Sequence, residues 1–259
     1  MKHISRIILV FLLLVGCSRT VTAEVTAAEA ALEKAETALA TAEAALSAAK
    51  AAVEEAKAAL SEAVTEKWIP LFDGESTAGW SIPTYGGDGE VDVQGGNLII
   101  GRGEMMTGIR YEKEFPKTNY ELRYEARRAQ GYDFFAACTF PVKESFCTFI
   151  NGGWGGGLTG LSSIDGFDAS ENSSSTHFNY QENVWHRFRI RVTDDMIQVW
   201  ITAQDKEGNW GEEEHVIKLE TEDKEFSTRY EVERYKPLGF GTWVTEGHLR
   251  KIEYRVIEQ

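Results

Sequence analysis

Cysteine is scarce in this chain, with three in 259 residues, and no His/Cys cluster has the spacing of a metal site, so zinc does not organise the fold. Positive charge is also in deficit. Lys and Arg number 27 against 41 Asp and Glu, a formal net charge of -14, which argues against a phosphate-backbone partner. The serines lack the Gly-x-Ser-x-Gly elbow, Ser162-Ser163 included, and neither His177 nor His186 has a nucleophile beside it. The closely spaced carboxylates of retaining glucanases are missing too, which leaves ordinary two-carboxyl glycoside hydrolysis without its sequence signature. Between residues 24 and 66 there is no Pro and no Gly, so nothing interrupts a helix there.

What is present begins with a secretion signal. Basic Lys2 and Arg6 precede the apolar run Ile7 to Val15, which is too short to span a bilayer as a retained helix. Leu14-Val15-Gly16-Cys17 resembles a bacterial lipobox. The resemblance implies residues 1–16 as signal peptide, acylation of Cys17, and a lipid-anchored linker over 17–23. Ser18, standing where an Asp would retain the protein at the inner membrane, favours the outer membrane, facing the periplasm or the cell surface. An ordinary signal peptide cut nearby is the alternative.

Residues 24–66 form an alanine-rich heptad helix. Val25, Leu32, Leu39, Leu46, Val53 and Leu60 recur every seven residues, and Ala28 through Ala63 follow each by three. A strict seven-residue repeat over six heptads predicts a left-handed coiled coil and hence a homo-oligomer, with a single solvated spacer helix as the alternative. The flanking charges leave the pairing open. Glu29, Glu36 and Glu43 precede Lys50 and Lys57 at one heptad position, which suits an antiparallel pair centred near Glu43. The lipid anchors of the two chains would then sit at opposite ends of the rod, awkward for one membrane. The segment also resembles the parallel trimeric rods of murein lipoproteins, without their terminal Lys.

From residue 67 to 259 glycine, aromatic and β-branched residues replace alanine, with turn signals about every ten residues. Strands are expected near 97–101, 119–128, 132–140, 146–151, 184–193, 195–203, 214–219, 238–244 and 248–257. The fold class is therefore all-β, a two-sheet sandwich or jelly roll behind one long helix. Alternation along 120–127, 187–192 and 197–202 gives one apolar and one polar face per strand, which puts Glu125, Arg127, Arg189, Gln198 and Trp200 on one shared polar face. That face is either a ligand groove or a solvated, salt-bridged sheet surface. Cys138 and Cys147 fall opposite each other if the turn between their strands is residues 141–144, so a disulfide in an oxidising compartment is one reading and two buried thiols the other.

The stretch 131–172 holds the strongest functional signal. Five glycines surround Trp154, which lets the backbone take positive φ while an indole face stays available. Asp133, Asn151, Trp154 and Asn172, with Arg189 and Trp200, are the candidate ligand-binding residues, since sugars present C–H faces and hydroxyls together. A tight sandwich corner around a core Trp is the competing reading. Asp165, Asp168 and Glu171 offer oxygens for Ca²⁺, although their spacing is not that of an EF-hand and a self-capped loop serves equally; no other cofactor is expected.

Trp68-Ile69-Pro70-Leu71-Phe72-Asp73-Gly74, Gly79-Trp80, Gly95 to Gly101, Tyr120-Glu121-Leu122 and Trp185 to Thr193 with Trp200 together resemble the bacterial 3-keto-disaccharide hydrolase domain family, over about 68 to 257. Asp133-Phe134-Phe135, Asn151 to Gly156 and Asp165 to Asn172 are similar to a subgroup found in planctomycete-like bacteria. The resemblance implies a concanavalin A-like jelly roll and carbohydrate-related activity, but supplies no catalytic set. A 3-keto sugar acidifies the hydrogen at C2, so cleavage needs one general base, Glu125 or Asp165, and a group such as Arg127 to polarise the ketone. The expectation is an envelope lipoprotein that binds and cleaves keto-glycosides. A lectin-like module without chemistry and a structural envelope spacer are the alternatives. Replacing Cys17→Ala should move the protein from the membrane to the soluble fraction on cell fractionation; a variant that stays with membranes removes the lipoprotein reading.

Overall fold

The computed structural model describes residues 2–65 and 67–257, with side chains over 24–57 and 67–257. The expected signal peptide, Cys17 and the linker to residue 23 lie outside the residues with described side chains. Two compact units result, 1–62 and 63–259. The first is helix α1 (Lys2–Thr65). Its Val25, Leu32, Leu39, Leu46 and Val53 are 51 to 60% exposed. Among the described residues, no helix is long and apolar enough to cross a membrane.

Among the described residues, the second unit has fifteen strands: β1 (Ile69–Pro70), β2 (Trp80–Ser81), β3 (Val91–Gln94), β4 (Asn97–Ile100), β5 (Met106–Tyr111), β6 (Tyr120–Gln130), β7 (Ala137–Val142), β8 (Ser145–Gly152), β9 (Leu158–Ser162), β10 (Thr176–His177), β11 (His186–Val192), β12 (Met196–Ala203), β13 (Glu214–Glu220), β14 (Gly239–Trp243) and β15 (Glu246–Val256). They form two antiparallel sheets. Sheet I runs β13-β12-β11-β6-β15-β4-β3, with β1 also on β15, and sheet II runs β10-β9-β8-β7-β14-β5-β2. The protein is thus the expected two-sheet jelly-roll sandwich, preceded in sequence by one long helix.

The inner faces meet in an aromatic core. Tyr120, Leu122, Tyr124 and Ala126 of β6 point inward and are fully buried. Tyr124 stacks on Phe188 of its own sheet at 5.0 Å and meets Phe240 of the opposite sheet edge-on at 4.8 Å. The phenol hydroxyls span the seam: Tyr120 donates to the Pro141 carbonyl (2.7 Å) and Tyr124 to that of Ala136 (3.2 Å). Each buried ring contributes about 2–3 kcal/mol of burial, and its hydroxyl avoids the cost of an unmatched donor.

The outer face of sheet I is the shared polar face expected from alternation, and it is a salt-bridged lattice. Glu125, 1% exposed, accepts from Arg187 (2.8 Å), Arg250 (2.8 Å) and Lys251 (3.3 Å). Glu121 is held by Arg189 and Arg255. The guanidinium groups in turn cover indole rings, Arg189 over Trp200 at 3.7 Å and Arg250 over Trp185 at 3.9 Å. Arg127 lies against His248 and Trp185.

The hairpin of β7 and β8 corrects the cysteine expectation. Its turn is Lys143-Glu144, because Val142 pairs with Ser145, so Cys138 faces Phe149 and Cys147 faces Phe140. Pro141 is accommodated inside β7 because it lies beyond the last β7–β14 pair, at Thr139. Both cysteines are buried free thiols, and burial pushes the Cys147 thiol up to about 12. The predicted disulfide is therefore absent.

Burial alone would raise the Glu125 carboxyl, but the hydrogen bonds of Arg187 and Arg250 and the charge of Lys251 overbalance it and hold the group below its ordinary value. A depressed carboxylate stabilises fully above the unfolded-chain pKa, about 4.3, and this contribution disappears as pH falls through the lower folded value. Glu125→Gln should cost about 3 kcal/mol at pH 7, and the gap to the unsubstituted protein should close toward pH 3 in thermal melts. A gap independent of pH would refute the assignment.

Candidate functional site

A cavity of about 280 Å³ lies on the outer face of sheet II, walled by four segments between strands. Thr148 and Ile150 of β8, Ser162 of β9, Met106 of β5 and Trp243 of β14 form its floor. These are the outward partners in an alternation whose inward members, Cys147, Phe149, Leu161, Ile109 and Phe240, belong to the sandwich core. The walls come from the β6–β7 loop (Asp133, Phe134), the glycine loop (Trp154), Asp168, and the segment Arg229 to Val232.

Each loop is placed by local chemistry. After β8 the chain enters a run of left-handed residues, Gly152 (φ 79), Trp154 (φ 49), Gly155 (φ 89) and Gly156 (φ 116). Glycine takes these angles at no steric cost, and the turn lifts Trp154 off the sheet, leaving it 51% exposed. Two charged groups fix the turn. Arg128, at the end of β6, donates to the carbonyls of Gly156 (3.2 Å) and Tyr180 (2.6 Å). Asp133 accepts from the backbone N–H of Gly155 (3.3 Å) and of Phe134 (2.8 Å).

On the opposite wall, residues 225–227 are zipped onto 163–165. Ser163 and Ser227 exchange backbone hydrogen bonds (3.0 and 3.1 Å), and Glu225 donates its N–H to the Asp165 carboxylate (2.9 Å). This brings Arg229 to Asp168, with which it forms an ion pair, and Arg229 also donates to Glu231 (3.3 Å). The short 3₁₀ helix Tyr230–Tyr235 then lays Tyr235 flat on sheet II. It can do so because Gly108 and Gly241 lie beneath, where an added Cβ would sit 2.3 Å and 2.7 Å from the ring atoms. Asn172 ties down the Asp168 loop, donating to the carbonyls of Leu161 (2.7 Å) and Asp168 (2.8 Å) and accepting from Ser174 (2.9 Å).

The electrostatics separate the carboxylates. Burial raises the Asp133 carboxyl above its ordinary value, against the lowering effect of its backbone donors and of Arg128. Glu231 is lowered, first by its hydrogen bond from Arg229, and Arg229 is raised by its bonds to Glu231 and Asp168. A guanidinium has five N–H donors, and the three contacts of Arg229 leave two for a ligand. The cavity therefore offers one carboxyl raised above its ordinary value by burial, one cation, an exposed indole and a mostly apolar floor.

Of the expected site residues the structure brings Asp133 and Trp154 together in this cavity. Glu125, Arg127, Arg189 and Trp200 lie on the outer face of the other sheet, where Glu125 is occupied by three cations, so the expected base and polariser are not assembled there. Asp165 is exposed and pairs with Lys224 (2.9 Å) outside the cavity. Asn151 is fully buried, bonded to both backbone groups of Ala136, and Asn172 supports its loop; both are structural. Asp165, Asp168 and Glu171 do not converge. Asp168 is used by Arg229, and among the described residues no group of three or more His, Cys, Asp or Glu could hold a metal ion. Sequence reading missed Arg128, Arg229, Glu231 and Trp243. Only a polar, aperiodic stretch around 220–237 marked the segment as a loop; nothing local said what it packs on.

The second unit is thus a two-sheet sandwich that carries an indole-edged cavity on one outer face. Residues 67–230 match the model of the 3-keto-alpha-glucoside-1,2-lyase-like domain, and the chain belongs to that family. No curated protein matches its sequence. Among solved structures it is similar to a candidate glycosyl hydrolase of Parabacteroides distasonis (11% identity, 74% of this chain and 95% of that one, TM-score 0.46). It is also similar to the apo form of the Crh5 transglycosylase (14%, 74% and 84%, 0.47) and to the Ca²⁺-bound exoplasmic domain of VIP36 (8%, 74% and 90%, 0.48).

Asn172→Ala should cost about 2 kcal/mol through the freed carbonyls and hydroxyl, and limited proteolysis should then cut first between residues 164 and 175. An unchanged digestion pattern would show that Asn172 does not hold the loop.

Proposed function

We propose that this domain binds glycosides over the outer face of sheet II and cleaves 3-keto-glycosides there by elimination. The observation that carries the reading is the Asp133 carboxyl, raised by burial at the rim of a cavity that also holds the free donors of Arg229 and the exposed face of Trp154. The indole takes the apolar face of the sugar ring. The Arg229 donors face the 3-keto oxygen and stabilise the charge that develops on it. Asp133 takes the proton from C2; the C2–H electrons become the C1=C2 double bond, the C1–O bond breaks, and the proton gained by Asp133 balances the negative charge that departs on the leaving oxygen. A base whose pKa burial raises suits this step better than an ordinary carboxylate.

The amino-terminal features support a location in the cell envelope, with the domain anchored at the outer membrane through acylated Cys17 and oligomerised through the heptad helix. The lectin-like reading is favoured by one observation: the Arg229 guanidinium already engages Asp168 and Glu231, which neutralise the charge that would polarise a ketone.

Asp133→Asn should lower kcat on a 3-keto-glucoside by about 10²–10⁴-fold while leaving ligand binding, read from Trp fluorescence, within a few-fold. Trp154→Ala should abolish the binding signal. Sugar binding by the unsubstituted protein with no turnover would leave the lectin reading in place of the catalytic one.

A further inference from the structure

The apolar stripe of α1 is solvent-exposed along its described length, with Val25, Leu32, Leu39, Leu46 and Val53 all more than half accessible. We infer that its occupant is a second copy of the same helix, running antiparallel, in the register that sets Leu39 of one chain against Ala49 of the other.

Two independent features select this arrangement. The first is the size of the core residues. Large residues occupy one core position of each heptad and Ala the other, throughout. In a parallel in-register pair like meets like, so wide Leu–Leu layers alternate with narrow Ala–Ala layers and no single helix separation fills both. In an antiparallel pair the two core positions face each other. Every layer is then one large residue against one Ala, and a constant, close separation packs them all. The register in which all six heptads overlap sets Val25 against Ala63, Leu32 against Ala56 and Leu39 against Ala49, the remaining layers following by symmetry.

The second feature is charge. Glu29, Glu36, Glu43, Lys50 and Lys57 share the flanking position that, in an antiparallel pair, faces itself. The same full-overlap register places Glu29 opposite Lys57 and Glu36 opposite Lys50, each twice, with the single Glu43–Glu43 contact at the dyad. In a parallel pair these residues would face the other flanking position, which is Ala31, Ala38, Ala45 and Ala52, and their sign pattern would serve nothing. The register of greatest overlap and the register of charge pairing coincide. The paired rod is about 60 Å long, and the amino-terminal ends of its two helices emerge at opposite ends. This inference does not depend on what the β domain binds.

The test uses full chains carrying Cys17→Ala, one with Leu39→Cys and one with Ala49→Cys, distinguished by tags of different size, mixed and oxidised before non-reducing electrophoresis. The expected product is the mixed dimer, at least 10-fold over either like dimer. A like dimer of the Ala49→Cys chain in equal amount would establish parallel pairing and overturn the proposal, as would the absence of any cross-link. Because Leu39→Cys removes a core residue, charge reversal supplies a second reading. Lys50→Glu with Lys57→Glu should raise the dimer dissociation constant at least 10-fold, and adding Glu29→Lys with Glu36→Lys should restore it. Indifference to these reversals would equally refute the antiparallel register.

Discussion

The seam between the two sheets at Tyr124 is the contact on which the rest of the domain depends. Tyr124 packs on Phe188 and Phe240 at once, so it fixes both the spacing of the sheets and the rotation of β6. With its even residues committed to the seam, β6 must present Glu121, Arg123, Glu125 and Arg127 to the outside. Two nearly inaccessible carboxylates then need partners, and the flanking strands supply them: Arg187 and Arg189 from β11, Arg250 and Arg255 from β15. Burying charge is costly unless it is paired, so the lattice follows from the seam.

A consequence is a division of labour between the two outer faces. On sheet I nearly every charged group has found a partner and the indoles lie beneath guanidinium planes, so little is left to engage a ligand. On sheet II the strands present small and apolar residues, Thr148, Ile150 and Ser162 among them, and the charged groups arrive from loops. Loops cannot satisfy one another as regularly as strands do. The leftover donors of Arg229 and the raised carboxyl of Asp133 are the result.

This division explains what was legible beforehand. Strands with clean alternation, such as Tyr120 to Arg127 and Arg187 to Val192, announced both their existence and their faces. Strands broken by glycine, Met106–Tyr111 and Leu158–Ser162, did not, because their outward positions face a covering loop and carry no polar pattern. The hairpin register was misjudged at Pro141, since a proline inside a strand depends on whether its other edge is paired, a tertiary fact. Trp154 and Asp133 stood out through the glycines and acidic residues around them. Arg229 did not, because it reaches the cavity through a backbone zipper between Ser163 and Ser227, over sixty residues apart in sequence.

The left-handed turn at Gly152 to Gly156 is held by bonds that leave the side chain it displays untouched. Its conformation is written in the glycines and in backbone bonds to Arg128 and Asp133, none of which involves the indole. Trp154 itself takes a left-handed angle (φ 49), so a β-branched residue there would strain the turn, whereas an unbranched side chain would change what the turn displays and keep its fold.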